Sequence, residues 1–166
     1  MKNSIDTLTQ YGYERFTLTM FWEELVDLLD FLATSEKDVA EKKKILHEKL
    51  TEEQGISDYA SWYLRVIVAA YLKADPDRFI GFLENDCYDI ATFCTREVEP
   101  MGKECGMVQV LALAEAFQVW AKIEYLDRNS QMGNGSGPVV HCFGNEKGLE
   151  LNLLYRPGHY DILYKK

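Results

Sequence analysis

The sequence predicts an α+β fold: a helical N-terminal lobe packed on a small, mostly antiparallel sheet that ends in a C-terminal β-hairpin. Three observations carry this. Apolar residues recur at three- and four-residue steps over most of the first 118 residues. The period switches to two in the stretch WAKIEYL that begins at Trp120. Residues 149–164, LELNLLYRPGHYDILY, then read as two strands joined at Arg156, Pro157 and Gly158. Helices first and strands last is the chain order of an α+β protein.

Taken in order, residues 1–16 are mixed and polar and read as an approach segment. Thr17 or Thr19 can cap a helix running to about Ala33, along which Phe21, Leu25, Leu28, Leu29 and Leu32 form an apolar stripe. Ser35 and Glu36 restart a charged helix through Leu50, whose thin edge of Val39, Leu46 and Leu50 predicts a mostly solvated element. Ser57 or Asp58 caps the next helix, to about Lys73. There Trp62, Tyr63, Val66, Ile67, Ala70 and Tyr71 cover more than one face, so this helix is expected to be central.

Asp75 and Pro76 open a short helix through Leu83, and another runs from about Tyr88 to Glu97, closed by Pro100 and Gly102. Gly106 leads into a helix over 107–117, which feeds the first strand. Residues 127–138 are polar and glycine-rich and read as a loop; a short strand over 139–143 and a turn over 144–148 precede the hairpin. No repeat or linker divides the 166 residues, which predicts one domain, with a helical part over about 17–118 and a sheet-forming part over about 119–165.

Composition narrows the function classes. A net charge of −9 argues against nucleic acid as a partner. An acidic surface suits a basic partner, and equally serves solubility. No apolar run predicts a membrane span or a secretory signal, which makes a soluble cytoplasmic protein, with the nucleus also open to it, the expectation. Four cysteines, Cys87, Cys94, Cys105 and Cys142, show no C-x-x-C pair or zinc-like grouping and read as reduced thiols; neither metal nor cofactor is expected. His141 and Cys142 are adjacent in a strand and face opposite ways, and His47 reads as solvated on its helix.

The hairpin holds the chemistry. In HYDILY, His159, Asp161 and Leu163 share one face and Tyr160, Ile162 and Tyr164 the other. An imidazole beside a carboxylate is the orienting half of a nucleophilic triad; it is also what an exposed polar strand face looks like.

RPGHYDILY behind a hydrophobic strand, at the C-terminus, resembles the signature of the otubains, cysteine deubiquitinases of the OTU class (peptidase C65 family). Three further stretches agree in order and spacing: Tyr63-Leu64-Arg65, REVEPMGKEC over 96–105, and VQVLALAEAF with IEYLDR over 108–128. The resemblance implies an OTU-like, papain-type fold and His159 as general base with Asp161 as its orienter. It implies ubiquitin or polyubiquitin as substrate, and a ubiquitin-conjugating enzyme as a further partner. The arginines of ubiquitin's C-terminal tail would supply the basic partner. In otubains the nucleophile lies in an Asp-Gly-x-Cys-Phe segment at the start of a buried helix, upstream of everything matched here. No such segment occurs in these 166 residues. Cys87, in Glu84-Asn85-Asp86-Cys87-Tyr88, mimics it but falls after the Tyr63-Leu64-Arg65 helix.

The sequence therefore reads as the C-terminal part of an otubain catalytic domain, inactive by itself. The alternative is a catalytically dead protein that binds ubiquitin or a conjugating enzyme. An unrelated α+β domain would have to reproduce all the stretches by coincidence. A domain without its buried helix is expected to expose an apolar groove beside His159, and to be poorly soluble or dependent on a partner.

Overall fold

The computed structural model describes residues 2–52, 55–83, 89–126 and 139–164. Among the described residues there are seven α-helices and four strands, helices first and strands last as predicted. The helices are α1 (Lys2–Gln10), α2 (Arg15–Thr34), α3 (Val39–Thr51), α4 (Ile56–Ala74), α5 (Pro76–Phe79), α6 (Ile90–Phe93) and α7 (Met107–Ala116); the strands are β1 (Trp120–Tyr125), β2 (Val139–Gly144), β3 (Glu150–Arg156) and β4 (His159–Leu163). A 3-10 turn, Ile80–Phe82, extends α5, and a π turn, Cys94–Val98, extends α6. Cys87, the predicted start of a helix at Tyr88, and the predicted loop over 127–138 lie outside the described residues.

The approach segment is a correction: most of it is helix α1. Its Ile5 and Leu8, three residues apart, are 8% and 3% exposed and pack with Leu18, Tyr63, Val66 and Ala70. Two apolar residues among Ser, Thr, Asn and Asp make a weak stripe, and tertiary packing supplies what local propensity does not. The cap of α2 is a second correction. Neither Thr17 nor Thr19 caps it: the Glu14 carboxylate accepts from the amides of Phe16 (3.0 Å) and Thr17 (2.7 Å) and from the Thr17 hydroxyl (2.6 Å). These donors, Thr17 first, hold the Glu14 carboxyl below its usual range. Glu14→Ala is expected to fray the first turn of α2, read as faster exchange of the Phe16 and Thr17 amides with the last turn unchanged. Gly55, not Ser57 or Asp58, caps α4, without a side-chain hydrogen bond.

Helix α3 buries none of its side chains, as its thin apolar edge predicts. Helix α4 is central because two clusters share it. Tyr63, Val66 and Ala70 join the α1–α2 cluster. Val68, Ala69 and Leu72 join Phe79, Ile90, Cys94, Val98, Val108 and Ala112. Lys73 near its end bridges inward, donating to Tyr13 Oη (3.0 Å) and Glu99 Oε1 (2.8 Å), while Tyr13 donates to the same Glu99 oxygen at 2.7 Å. This ties the α1–α2 turn to the segment after the π turn.

The sheet order is β2-β1-β3-β4. β1 pairs antiparallel with β2 and parallel with β3, and β3 pairs antiparallel with β4. The register places Ala121 and Ile123, 4% and 0% exposed, on one face with Phe143, Leu153, Tyr155 and Tyr160. Helix α7 contacts β1 and β2. At Gly144 (φ +87°) a Cβ would stand 2.2 Å from Val119 O, so only glycine lets β2 close against the end of α7. The opposite face carries Lys122, Glu124, Asn152, Leu154, Arg156, His159 and Asp161.

Candidate active site

Pro157 and Gly158 form the two-residue turn of the β3–β4 hairpin, with Gly158 at φ +80°, a region that favours glycine. The turn pairs Arg156 with His159, which puts Asp161 on the same face one strand step further. His159 Nε2 and Asp161 Oδ1 lie 3.1 Å apart. Asp161 Oδ2 accepts from Arg156 Nη2 at 2.7 Å. One carboxylate thus bridges an imidazole and a guanidinium, and the His159 hydrogen bond, then Arg156, holds the Asp161 carboxyl below its usual range. With Nε2 turned to Asp161, Nδ1 is the ring nitrogen open to a reacting group; it has no hydrogen bond among the described residues.

From sequence alone Arg156 reads as a turn residue. A two-residue loop between antiparallel strands would have identified it, because that loop pairs 156 with 159 and leaves 161 as the diagonal neighbour. The pH dependence follows from the depressed carboxyls of Asp161, Asp89 and Glu14. A carboxyl depressed in the folded state adds stability that is present above its unfolded pKa of about 4 and is lost as pH falls through the lower folded value. Melts of the protein should hold steady on this account from pH 6 to 5 and fall below about pH 4. Asp161→Asn should flatten part of that acid decline.

Cys94 is fully buried, its Sγ 3.6 Å from Ala69 O, and burial pushes the thiol up to about 12, the opposite of activation. Cys142 shares the face of His159 but sits on β2, at the other edge of the sheet and in register with Leu163; three strand spacings across and four residues along put it about 19 Å away. Cys105 is half-buried and lines a cleft of about 230 Å³ with Ser61, Leu64, Arg65 and Gln109. Among the described residues no thiol bonds to His159, and no three His, Cys, Asp or Glu side chains could hold a metal. Among them, too, no helix is long and apolar enough to cross a membrane.

An apolar groove of about 620 Å³ runs along α1, α2, α4 and the end of α7, lined among others by Leu8, Trp22, Leu25, Ile67, Tyr71 and Phe117. The indole Nε1 of Trp22 is buried there without a hydrogen-bond partner among the described residues. Apolar surface is also exposed on the sheet. Leu151 and Ile162 are 41% and 64% exposed, on the face opposite His159.

A helical lobe carrying a mixed sheet, with a histidine–carboxylate pair on its β3–β4 hairpin, fits the OTU-like, papain-type fold that the resemblance implies. The family profile described as Peptidase C65 Otubain matches residues 1–165, and the chain belongs to the otubain family. It is 35% identical over 164 residues to ubiquitin thioesterase OTUB1 of Homo sapiens, covering 98% of this chain and 56% of that protein. It is 34% identical over 173 residues to the OVARIAN TUMOR DOMAIN-containing deubiquitinating enzyme 1 of Arabidopsis thaliana (96% and 55% covered). With ubiquitin thioesterase OTUB2 of Homo sapiens it shares 30% identity over 153 residues (92% and 60% covered). The chain spans little more than half the length of these curated relatives. Among solved structures, a complex of OTUB1 with ubiquitin aldehyde and UBC13~Ub matches with a TM-score of 0.82 at 26% identity, over 99% of this chain and 62% of that one. A complex of OTUB1 with ubiquitin aldehyde and UBCH5B~Ub gives 0.83 at the same identity, with 99% and 62% covered.

Proposed function

We propose that this chain carries the base half of an otubain-type deubiquitinase, with His159 as general base and Asp161 as its orienter. We propose further that the 166 residues bind ubiquitin but do not cleave its conjugates by themselves. The observation that carries the reading is the 3.1 Å contact between His159 Nε2 and Asp161 Oδ1 on a rigid hairpin. In thiol hydrolysis of an isopeptide, the base takes the proton of a cysteine thiol, and the thiolate attacks the carbonyl carbon at ubiquitin's C-terminus. The base then gives that proton to the departing lysine amine, leaving a thioester that water hydrolyses. Asp161 stabilises the imidazolium formed in between and keeps the ring turned so that Nδ1 faces outward.

The 166 residues contain no Asp-Gly-x-Cys-Phe segment; of the described thiols, Cys94 is fully buried and Cys142 lies across the sheet from His159. Ubiquitin as ligand, and a conjugating enzyme as second partner, are supported by relatives named for ubiquitin and by the UBC13 and UBCH5B complexes. The free cysteines suit the cytoplasm or nucleus, a placement that imaging of the tagged chain tests.

The test joins an Asp-Gly-x-Cys-Phe helix ahead of Met1 and compares hydrolysis of a ubiquitin isopeptide by the joined protein and by the 166 residues. Turnover by the joined protein alone is expected. If neither cleaves but the chain captures ubiquitin or a conjugating enzyme, the binding-protein reading replaces this one.

A further inference from the structure

Tyr63-Leu64-Arg65 and the stretch over 96–105 both mark the family resemblance, and neither touches the His159 ring. Their contacts nonetheless converge on it. Arg65, midway along α4, donates from Nη1 to Val98 O at 2.9 Å and from Nη2 to Lys103 O. A planar guanidinium can hold two carbonyls at once, which pins both ends of a strap, residues 98–103, to one helix. Gly102 (φ +77°) reverses the chain between them.

Immediately beyond, the strap grips the hairpin. Glu104 Oε1 accepts from Tyr155 Oη (2.8 Å) and from the Gly158 amide (3.2 Å), and Cys105 O accepts from Tyr160 Oη (2.9 Å). Gly158 and Tyr160 flank His159 in sequence, and Tyr155 is paired with Tyr160 across the hairpin, their rings 4.8 Å apart. Among the described strands β4 is at the edge and pairs with β3, so the strap is its second tether. Tyr160 points to the face opposite His159, so the strap fixes the backbone on both sides of the histidine while Asp161 fixes the ring.

We propose that Arg65 is a positioning residue for His159, acting through the strap. Its catalytic consequence rests on His159 being the base; the positioning itself does not. The three histidines, His47, His141 and His159, make the test direct, because ring nitrogen signals of the 166-residue chain can be assigned one by one.

Arg65→Ala and Glu104→Ala should each speed exchange of the Gly158 amide about tenfold or more. Each should also move the His159 ring ¹⁵N shifts toward those of free imidazole, with His141 and the β1 amides unchanged. Arg65→Lys, which can reach one carbonyl but not both, should fall between. A folded Arg65→Ala with Gly158 and His159 unchanged overturns the proposal. If Arg65→Ala does not fold, the exposed Glu104 decides: an unchanged Glu104→Ala spectrum overturns it as well. A joined enzyme that stays active as His159→Ala would refute the base assignment while leaving the exchange result standing.

Discussion

In a protein that joins the Asp-Gly-x-Cys-Phe helix to this chain, His159→Ala is expected to lower kcat for isopeptide cleavage by about 10³-fold or more. KM should change little, because the imidazole acts on the proton and not on the bound ubiquitin surface. The size follows from what the base does. A cysteine thiol with an ordinary pKa of about 8.5 is mostly protonated at neutral pH, and the leaving lysine amine must acquire a proton to depart. One imidazole serves both steps. Asp161→Ala should cost less, since it leaves the ring in place and removes only its alignment and the charge facing the imidazolium. Arg156→Ala should cost least, for Arg156 reaches the base only through the second oxygen of Asp161, at 2.7 Å. Steady-state kinetics on the three variants checks the order, and a His159→Ala enzyme within a few fold of the parent would remove His159 from the mechanism.

The second large effect is on stability. Phe79→Ala is expected to destabilise the fold by about 3–5 kcal/mol. Phe79 is 0% exposed and is among the largest fully buried side chains. It packs in the cluster of Leu72, Ile90, Cys94 and Val108, with the Tyr71 ring 6.1 Å away and the Arg78 guanidinium 4.9 Å over its own ring. Its loss removes transfer energy and leaves a void that close-packed neighbours fill only in part. Domains of this size are stable by roughly 5–15 kcal/mol, so the variant should lose a large share of its cooperative transition. Phe82, three residues on and 62% exposed, is the control: Phe82→Ala should shift stability by no more than about 0.5 kcal/mol. Urea unfolding of both variants provides the comparison, and equal effects would contradict the burial argument.

What the sequence disclosed and what it hid have physical causes. The α4 pattern was legible because its apolar residues cover more than one face, and a helix so covered must be central; Val66, Ala69 and Leu72 are each 0% exposed. The hairpin was legible because Pro157 and Gly158 interrupt two alternating runs, which sets both the turn and the shared face of His159 and Asp161. Helix α1 was not, since Ile5 and Leu8 gain their partners from α2 and α4. Nor was the α2 cap, where Glu14 reaches around to the amides that a threonine was expected to satisfy. The strap was hidden for a different reason. Its hydrogen bonds run from Arg65 to backbone carbonyls 33 and 38 residues away and from Glu104 to a backbone amide 54 residues away, and such contacts leave no periodicity in a sequence. The apolar surface expected beside His159 lies instead in the groove along α1, α2 and α4, and on the sheet face opposite the histidine.

We propose that these 166 residues hold a base and its orienter without a nucleophile to serve. Incubation of the chain with ubiquitin whose C-terminus carries a thiol-reactive group tests it most directly, because covalent capture needs only a thiolate within reach of a bound ubiquitin tail. No adduct is expected from the 166-residue chain, and an adduct is expected from the joined protein that His159→Ala suppresses. An adduct from the 166-residue chain that disappears with Cys87→Ala would contradict it and make Cys87 the nucleophile.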